Sequence, residues 1–415
     1  VTRALILSLV FSPDGVSTSV IVSELAYDLA ERGHQVTVLT TQPHYNIDPD
    51  ARAQQPLKKR WGGLFYTSDY HGIPVWHTAM RPKGERALSR IVDYLVFHVI
   101  SVVLGLFAIQ RQDIVFAVSP PLTIGLVGWL LALFKRARLI YNVQELYPDT
   151  TITMGILKED SPITRVLYWM ERFIYRRSAA LAVICQPFAD LIAAKGIALD
   201  KIHVIPNFVD TEFVQPGAKD NDLLCELELQ DQYVVLYAGN IGMTQSFDTL
   251  LTTAERMQDE AGITFLIVGD GARRSYVETQ VRERQLSNVR LLPYQPRGRV
   301  PDIYATSDVC LVPLMAGTAK TTVPSKLFTI MASERPALVA VDEDSDLART
   351  VKEVDCGMVV PPDDADALEA AIRDAFKNQD KMRGLGENGR RYVEGNLSRQ
   401  HISRQYHELF EALKS

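Results

Sequence analysis

The chain has 415 residues, of which 47% are hydrophobic and 23% charged, and its formal net charge is −6. That length exceeds one ordinary core and implies two α/β domains, while the composition excludes a disordered chain. The acidic balance disfavours nucleic acid as the main partner, because neutralising phosphates needs a basic field.

Arg3 to Val10 reads as a strand and Thr18 to Arg32 as an amphipathic helix ended by Gly33-His34. The opening run lacks a basic leader and a small-residue cleavage site, so no signal peptide is expected. Further strands are expected over Gln35 to Thr40, Ile73 to His77, Asp113 to Val118, Arg138 to Val143, Ala180 to Ile184 and Lys201 to Ile205. Helices are expected over Ser161 to Arg177 and Phe188 to Lys195. The repeated βα spacing implies parallel pairing with right-handed crossovers. Four scattered cysteines, Cys185, Cys225, Cys310 and Cys356, form no Cys-x-x-Cys and disfavour structural zinc or a disulfide framework.

Two apolar stretches, Tyr94 to Ile109 and Ile114 to Phe134, read as buried core. The first is shorter than the roughly 20 residues a membrane span needs, and Pro120-Pro121 divides the second. Arg81, Lys83, Arg86 and Arg90 precede the first stretch and leave a second reading open, docking on an anionic membrane face.

Pro206-Asn207-Phe208-Val209-Asp210 breaks the βα alternation, which restarts at Tyr233. The expected organisation is a first Rossmann-like domain over 1–205, a second over 206–390, and a C-terminal helix within 391–415 that crosses back to the first.

The motifs concentrate in the second half. Val234 to Ala238 is an apolar run suited to a central strand, and Gly239-Asn240-Ile241-Gly242 follows it. Val268-Gly269-Asp270-Gly271 is a second such turn. Small residues between a strand and a helix let a backbone approach a phosphate, although each can also be a plain structural turn. The third glycine of the dinucleotide fingerprint is missing, and no Gly-x-x-x-x-Gly-Lys-Ser/Thr occurs, which disfavours a dehydrogenase and a P-loop. Pro324-Ser325-Lys326 opens another helix. A lysine at a helix start opposes the helix dipole, so Lys326 points to an anionic partner; otherwise it is a solvated side chain. Thr321 and Thr322 beside it can hydrogen-bond a diphosphate. In the first half, Tyr141 to Asp149 leaves a strand at its carboxyl end and carries Glu145 and Asp149. Glu145 is the candidate for orienting or deprotonating a hydroxyl, and Asp149 reads as a helix N-cap.

Taken in order, these stretches resemble the family 4 glycosyltransferases of the GT-B fold over nearly the whole chain. The carriers are Ser12-Pro13-Asp14-Gly15 leading to Leu29 through Val38, the hinge Val204 to Asp210, Val268 to Gly271, and Asp308 to Pro313. Gln144 to Pro148, Gly239 to Gly242 with Gln245, and Pro324-Ser325-Lys326 resemble the branch that adds sugars, often amino sugars, in colanic acid and O-antigen assembly.

The resemblance implies an α/β protein with two Rossmann-like doubly wound domains facing across a cleft, the first for the acceptor and the second for the donor. It implies retaining transfer from a UDP-sugar to a lipid-linked saccharide at the inner face of the cytoplasmic membrane. The nucleotide sugar is then a substrate, with no cofactor and no metal. Catalytic roles fall on Glu145 and Lys326. Donor binding falls on Gly15, Gly239, Asn240, Gln245, Gly269, Gly271, Gln295, Thr321, Thr322, Ser325, Lys326 and Thr329. The chain departs from the family at Asn240 and Gln245, where many members carry cations, and at Thr321 and Thr329, where many carry glutamates. Two rival readings are a nucleotide-sugar epimerase of the same fold and a non-catalytic partner of a transferase.

Overall fold

The computed structural model describes residues 1–44, 47, 49–80, 87–153, 155–260, 262–320 and 325–414. It divides into two compact units, Val1–Asn207 together with Arg399–Ser415, and Phe208–Ser398. The second unit therefore starts two residues later than expected. The expected boundary at 390/391 falls inside the Gln379–Asn396 helix, and the division comes after that helix instead. One helix, Arg399–Ala412, returns to the first unit.

The first unit is built on β1 (Arg3–Leu7), β2 (Gln35–Thr41), β3 (Lys58–Arg60), β4 (Phe65–Tyr70), β5 (Ile73–Thr78), β6 (Ile114–Val118), β7 (Arg138–Val143), β8 (Ala180–Val183) and β9 (Ile202–Val204). Their order is β3-β4-β5-β2-β1-β6-β7-β8-β9, parallel except for the β3-β4-β5 edge. Of that edge only β5 matches an expected strand, Ile73 to His77, while β3 and β4 lie in the segment before it, for which no strand was expected. The strand order reverses between β1 and β6, where a doubly wound sheet opens a ligand crevice. The returning helix covers the sheet, with Tyr406 edge-on to Phe116 at 5.5 Å between ring centres. Asn142 Nδ2 donates to the Tyr406 hydroxyl at 3.0 Å, and Arg399 pairs with Asp28 at 2.7 Å.

The Ala87–Phe107 helix corrects the core reading of the first apolar stretch. Phe97, Ile100 and Leu104 are buried, but Leu95, Val99 and Phe107 face solvent. Among the described residues no helix is long and apolar enough to cross a membrane. Arg81, Lys83, Arg86 and the Arg90 side chain lie outside the described residues.

The second unit carries β10 (Tyr233–Ala238), β11 (Ile263–Val268), β12 (Val289–Leu292), β13 (Val309–Pro313), β14 (Ala337–Ala340) and β15 (Gly357–Val360). The order is β12-β11-β10-β13-β14-β15, all parallel. β11 and β13 are buried along their whole length, as helix-covered central strands must be, which is why their sequences read as continuous apolar runs. The order reverses between β10 and β13, so the crevice of this unit opens where Gly239 leaves β10.

Candidate functional site

Two turns meet at the reversal. Gly239 follows β10 and Gly269 follows β11, with φ of 139° and 147°. A Cβ on Gly269 would lie 1.9 Å from the Gly239 carbonyl oxygen. The Gly269 requirement is thus met by protein packing: it lets two neighbouring strand ends touch. Gly271 has the same duty, since its Cβ would stand 2.4 Å from the Ile241 carbonyl oxygen. Gly239 and Asn240 are exposed at the mouth of this pair of turns.

Gln245 is turned into its own loop. Its Oε1 accepts the Gly242 N–H at 2.9 Å and its Nε2 donates to Thr244 Oγ1 at 2.9 Å. The segment then docks on the end of β13 through Ser246 N–H to the Pro313 carbonyl at 3.0 Å. Two carboxylates brace the loop beyond β13. Asp363 accepts the Ala316 N–H at 3.0 Å, and Asp342 accepts the Gly317 N–H at 2.7 Å.

Lys326 starts the Lys326–Ala332 helix and points back at β10. Its Nζ lies 3.7 Å from the centroid of the Tyr237 ring. A Cβ on Gly239 would stand 3.2 Å from the same nitrogen, so the glycine makes room for the ammonium. Among the described residues no acceptor or carboxylate pairs with it. Desolvation pulls its pKa from 10.5 down to about 7. A cation–π contact of this kind is worth about 2 kcal/mol when desolvated, too little to replace a counter-ion. Among the described residues the arrangement leaves a cation at the crevice with its anion position unfilled.

Tyr237 is a candidate site residue that sequence reasoning missed. Its ring carries Lys326, and its hydroxyl donates to the Asn240 carbonyl at 2.5 Å, fixing the exposed turn. Arg274 was also missed. Its guanidinium donates to the Gly269 carbonyl at 2.6 Å, so Lys326 is not alone among cations at the glycine turns. Arg274 is, however, committed to that carbonyl and to Glu278.

The remaining expected donor residues separate. Ser325 is half-buried and its carbonyl accepts the Phe328 N–H at 3.1 Å. Thr329 is half-buried one turn after Lys326, and its carbonyl receives the Ser333 hydroxyl at 2.9 Å. Gln295 follows the edge strand β12, two strands from β10, and donates to the Pro293 carbonyl at 3.1 Å. Gly15 lies in the first unit, half-buried between β1 and the Ser17–Glu31 helix. Thr321 and Thr322 lie outside the described residues.

In the first unit, the loop after β7 is pinned from behind. Gln144 and Asn207 exchange side-chain amide hydrogen bonds of 3.1 and 2.8 Å, and the Gln144 N–H donates to Ser119 Oγ at 3.0 Å. Glu145 is half-buried on this braced loop. Burial raises its pKa, and a hydrogen bond from Tyr147 opposes the rise. Asp149 corrects the N-cap reading. Its carboxylate pairs with Lys195 at 2.8 Å and accepts from the Tyr168 hydroxyl at 3.3 Å. Lys195 also pairs with the fully buried Glu171 at 2.7 Å, so Asp149 anchors the loop. Among the described residues no cluster of three metal-ligating side chains occurs.

Two family models cover most of the chain: a glycosyl transferase 4-like domain over residues 17–207 and glycosyl transferases group 1 over residues 225–392. The chain belongs to the family 4 glycosyltransferases. The transferase is 25% identical over 413 residues to the putative colanic acid biosynthesis glycosyl transferase WcaI of Escherichia coli K12, covering 97% of this chain and 98% of that one. Among solved structures, sucrose-phosphate synthase of Thermosynechococcus elongatus superposes with a TM-score of 0.74 at 19% identity, over 99% of both chains. HepE of Anabaena, solved with UDP and glucose, gives 0.74 at 14% identity over 99% of this chain and 100% of that one. These neighbours share the GT-B fold, with its two Rossmann-like units.

Proposed function

We propose that the transferase moves a sugar, with retention, from a UDP-sugar to a lipid-linked saccharide in surface polysaccharide assembly. The observation that carries this reading is the Lys326 ammonium. It stands at the strand-order reversal of the second unit, over Tyr237 and against Gly239, with no anion paired to it among the described residues. A diphosphate is the anion that suits it. Charge develops on the diphosphate as the sugar–oxygen bond breaks, and a desolvated fixed cation is worth most at that moment. The exposed Gly239-Asn240 turn, held by the Tyr237 hydroxyl, lets the phosphates come close to the backbone. The UDP and glucose bound by HepE support the choice of nucleotide.

Glu145, with its pKa raised on a braced loop, polarises the acceptor hydroxyl. No cofactor and no metal take part in this scheme. The colanic acid role in the name of WcaI supports a polysaccharide acceptor. A lipid-linked acceptor would be met at the inner face of the cytoplasmic membrane, with the transferase bound peripherally. The test is to incubate the protein with a panel of UDP-sugars and a lipid extract. Free UDP together with labelled lipid is the expected result. An epimerase interconverts the donor without releasing nucleotide, and a non-catalytic partner does neither.

A further inference from the structure

The Pro162–Arg177 helix of the first unit is amphipathic, yet its solvent side is not uniformly polar. Ile163, Val166 and Trp169 recur at three-residue spacing and are 63, 56 and 64% exposed. Arg165, Arg172 and Arg176 flank this stripe, also exposed. Together with Arg177 they border a shallow depression of about 560 Å³ that contains Trp169 and Phe173. The two rings stack at 5.6 Å between centroids. None of the four guanidinium groups meets a carboxylate among the described residues. The single acid of the helix, Glu171, is buried and pairs inward with Lys195.

This helix belongs to a layer. Trp129 of the Ile124–Lys135 helix meets Phe173 edge-on at 4.9 Å. Gly105 of the Ala87–Phe107 helix in turn lies so close to Leu131 that a Cβ there would stand 2.6 Å from Cδ2. The outward residues of these two neighbours are apolar: Leu95, Val99 and Phe107 on one, Leu133 and Phe134 on the other. His98 adds no charge near neutrality, because burial lowers its pKa to about 4. Exposed apolar residues thus recur on three helices packed side by side, and large exposed apolar surface on a monomer marks an interaction site. Bordered by unpaired guanidinium groups, it offers acyl chains and anionic headgroups what each requires.

We propose that these three helices are the face on which the transferase docks to an anionic lipid bilayer. The arginines of Pro162–Arg177 hold lipid phosphates, for which a forked guanidinium is well matched, and Trp169 enters the headgroup layer. The inference deepens the membrane part of the proposed function and rests on that reading for the lipid-linked acceptor. It assigns the basic contact to the arginines of Pro162–Arg177 rather than to the basic residues between Arg81 and Arg90.

The test is co-sedimentation of the full chain with phosphatidylcholine vesicles, with and without phosphatidylglycerol. Binding should require the anionic lipid. Arg172→Gln with Arg176→Gln should weaken it about thirtyfold, from two charges near the surface. Arg172→Lys with Arg176→Lys should retain most of the binding, and Val99→Asp should reduce it. The melting midpoints of the arginine variants should match the parent, because both side chains are exposed. Indifference to phosphatidylglycerol, or a Gln pair that binds like the parent, would overturn the proposal. So would a Lys pair as weak as the Gln pair. Self-association in solution that Trp169→Ser abolishes would give the face to a second copy and overturn it too. Vesicle binding without sugar transfer to lipid would leave this face standing and sink the lipid-acceptor reading. Transfer to a soluble acceptor by a protein that ignores vesicles would do the reverse.

Discussion

The Lys326 ammonium rests 3.7 Å from the centre of the Tyr237 ring, and the hydroxyl of that ring holds the Asn240 carbonyl at 2.5 Å. One tyrosine thus couples the only unpaired cation described at the crevice to the exposed turn that would receive the phosphates. Lys326→Ala should lower UDP affinity by about 1.5–3 kcal/mol, the range for a charge-assisted hydrogen bond. Titration calorimetry with UDP checks this, and an unchanged affinity would remove Lys326 from the site.

The pH dependence has two opposite signs. Lys326 titrates near 7 in the free protein, below its ordinary 10.5. A diphosphate favours the protonated amine, so UDP affinity should be level below about pH 7 and decline above it, up to about tenfold per pH unit. The unfolded chain keeps its proton up to about 10.5. In the window from about 7 to 10.5 the unfolded state therefore binds more protons, and the Lys326 contribution to stability rises with pH. Proton uptake on UDP binding at pH 8, measured in buffers of different ionisation enthalpy, separates this from other titrations.

Gly269→Ala should destabilise the second unit by about 3 kcal/mol or more, since the φ of 147° and the 1.9 Å approach to the Gly239 carbonyl both resist a methyl group. Urea unfolding measures it. A variant as stable as the parent would mean that the two turns do not touch in solution.

Glu145→Gln should reduce turnover on the order of a hundredfold while UDP affinity holds, if the carboxylate acts on the acceptor hydroxyl. Turnover of the parent should rise with pH through a value above the ordinary carboxylate range, because burial raises this pKa. Steady-state kinetics on the variant, set beside its UDP titration, decide the point.

Lys195→Met should cost about 3–5 kcal/mol of stability, because it strands the fully buried Glu171 without its partner. Asp149 would lose its anchor at the same time, so the Glu145 loop should exchange its amide hydrogens faster. Hydrogen exchange over residues 144–150 reads this directly.

Much of the fold was legible because β10, β11 and β13 are apolar runs closed by glycine turns. Lys326 was legible because a cation at a helix start is out of place by itself. Tyr237 was not, since an aromatic residue in a buried strand looks like core whether or not its face carries a cation. Nor could spacing reveal that Gln245 spends its amide on Gly242 and Thr244. Asp149 was misread because its partner Lys195 comes from a later helix, and a local rule sees only the nearby backbone. The Ala87–Phe107 helix was half misread because apolar residues on every side ordinarily signify burial on every side.

The return of Arg399–Ala412 to the first unit sets an order of events during synthesis. Residues 1–207 emerge from the ribosome before Phe208–Ser398, but Tyr406 and Phe410, which cover Phe116, emerge after it. The first unit therefore begins to form before the second and is finished after it, with an uncovered patch of sheet throughout the translation of Phe208–Ser398. Nascent chains stalled just short of Arg399 should expose that patch to chaperones, and emergence of Arg399–Ala412 should hide it.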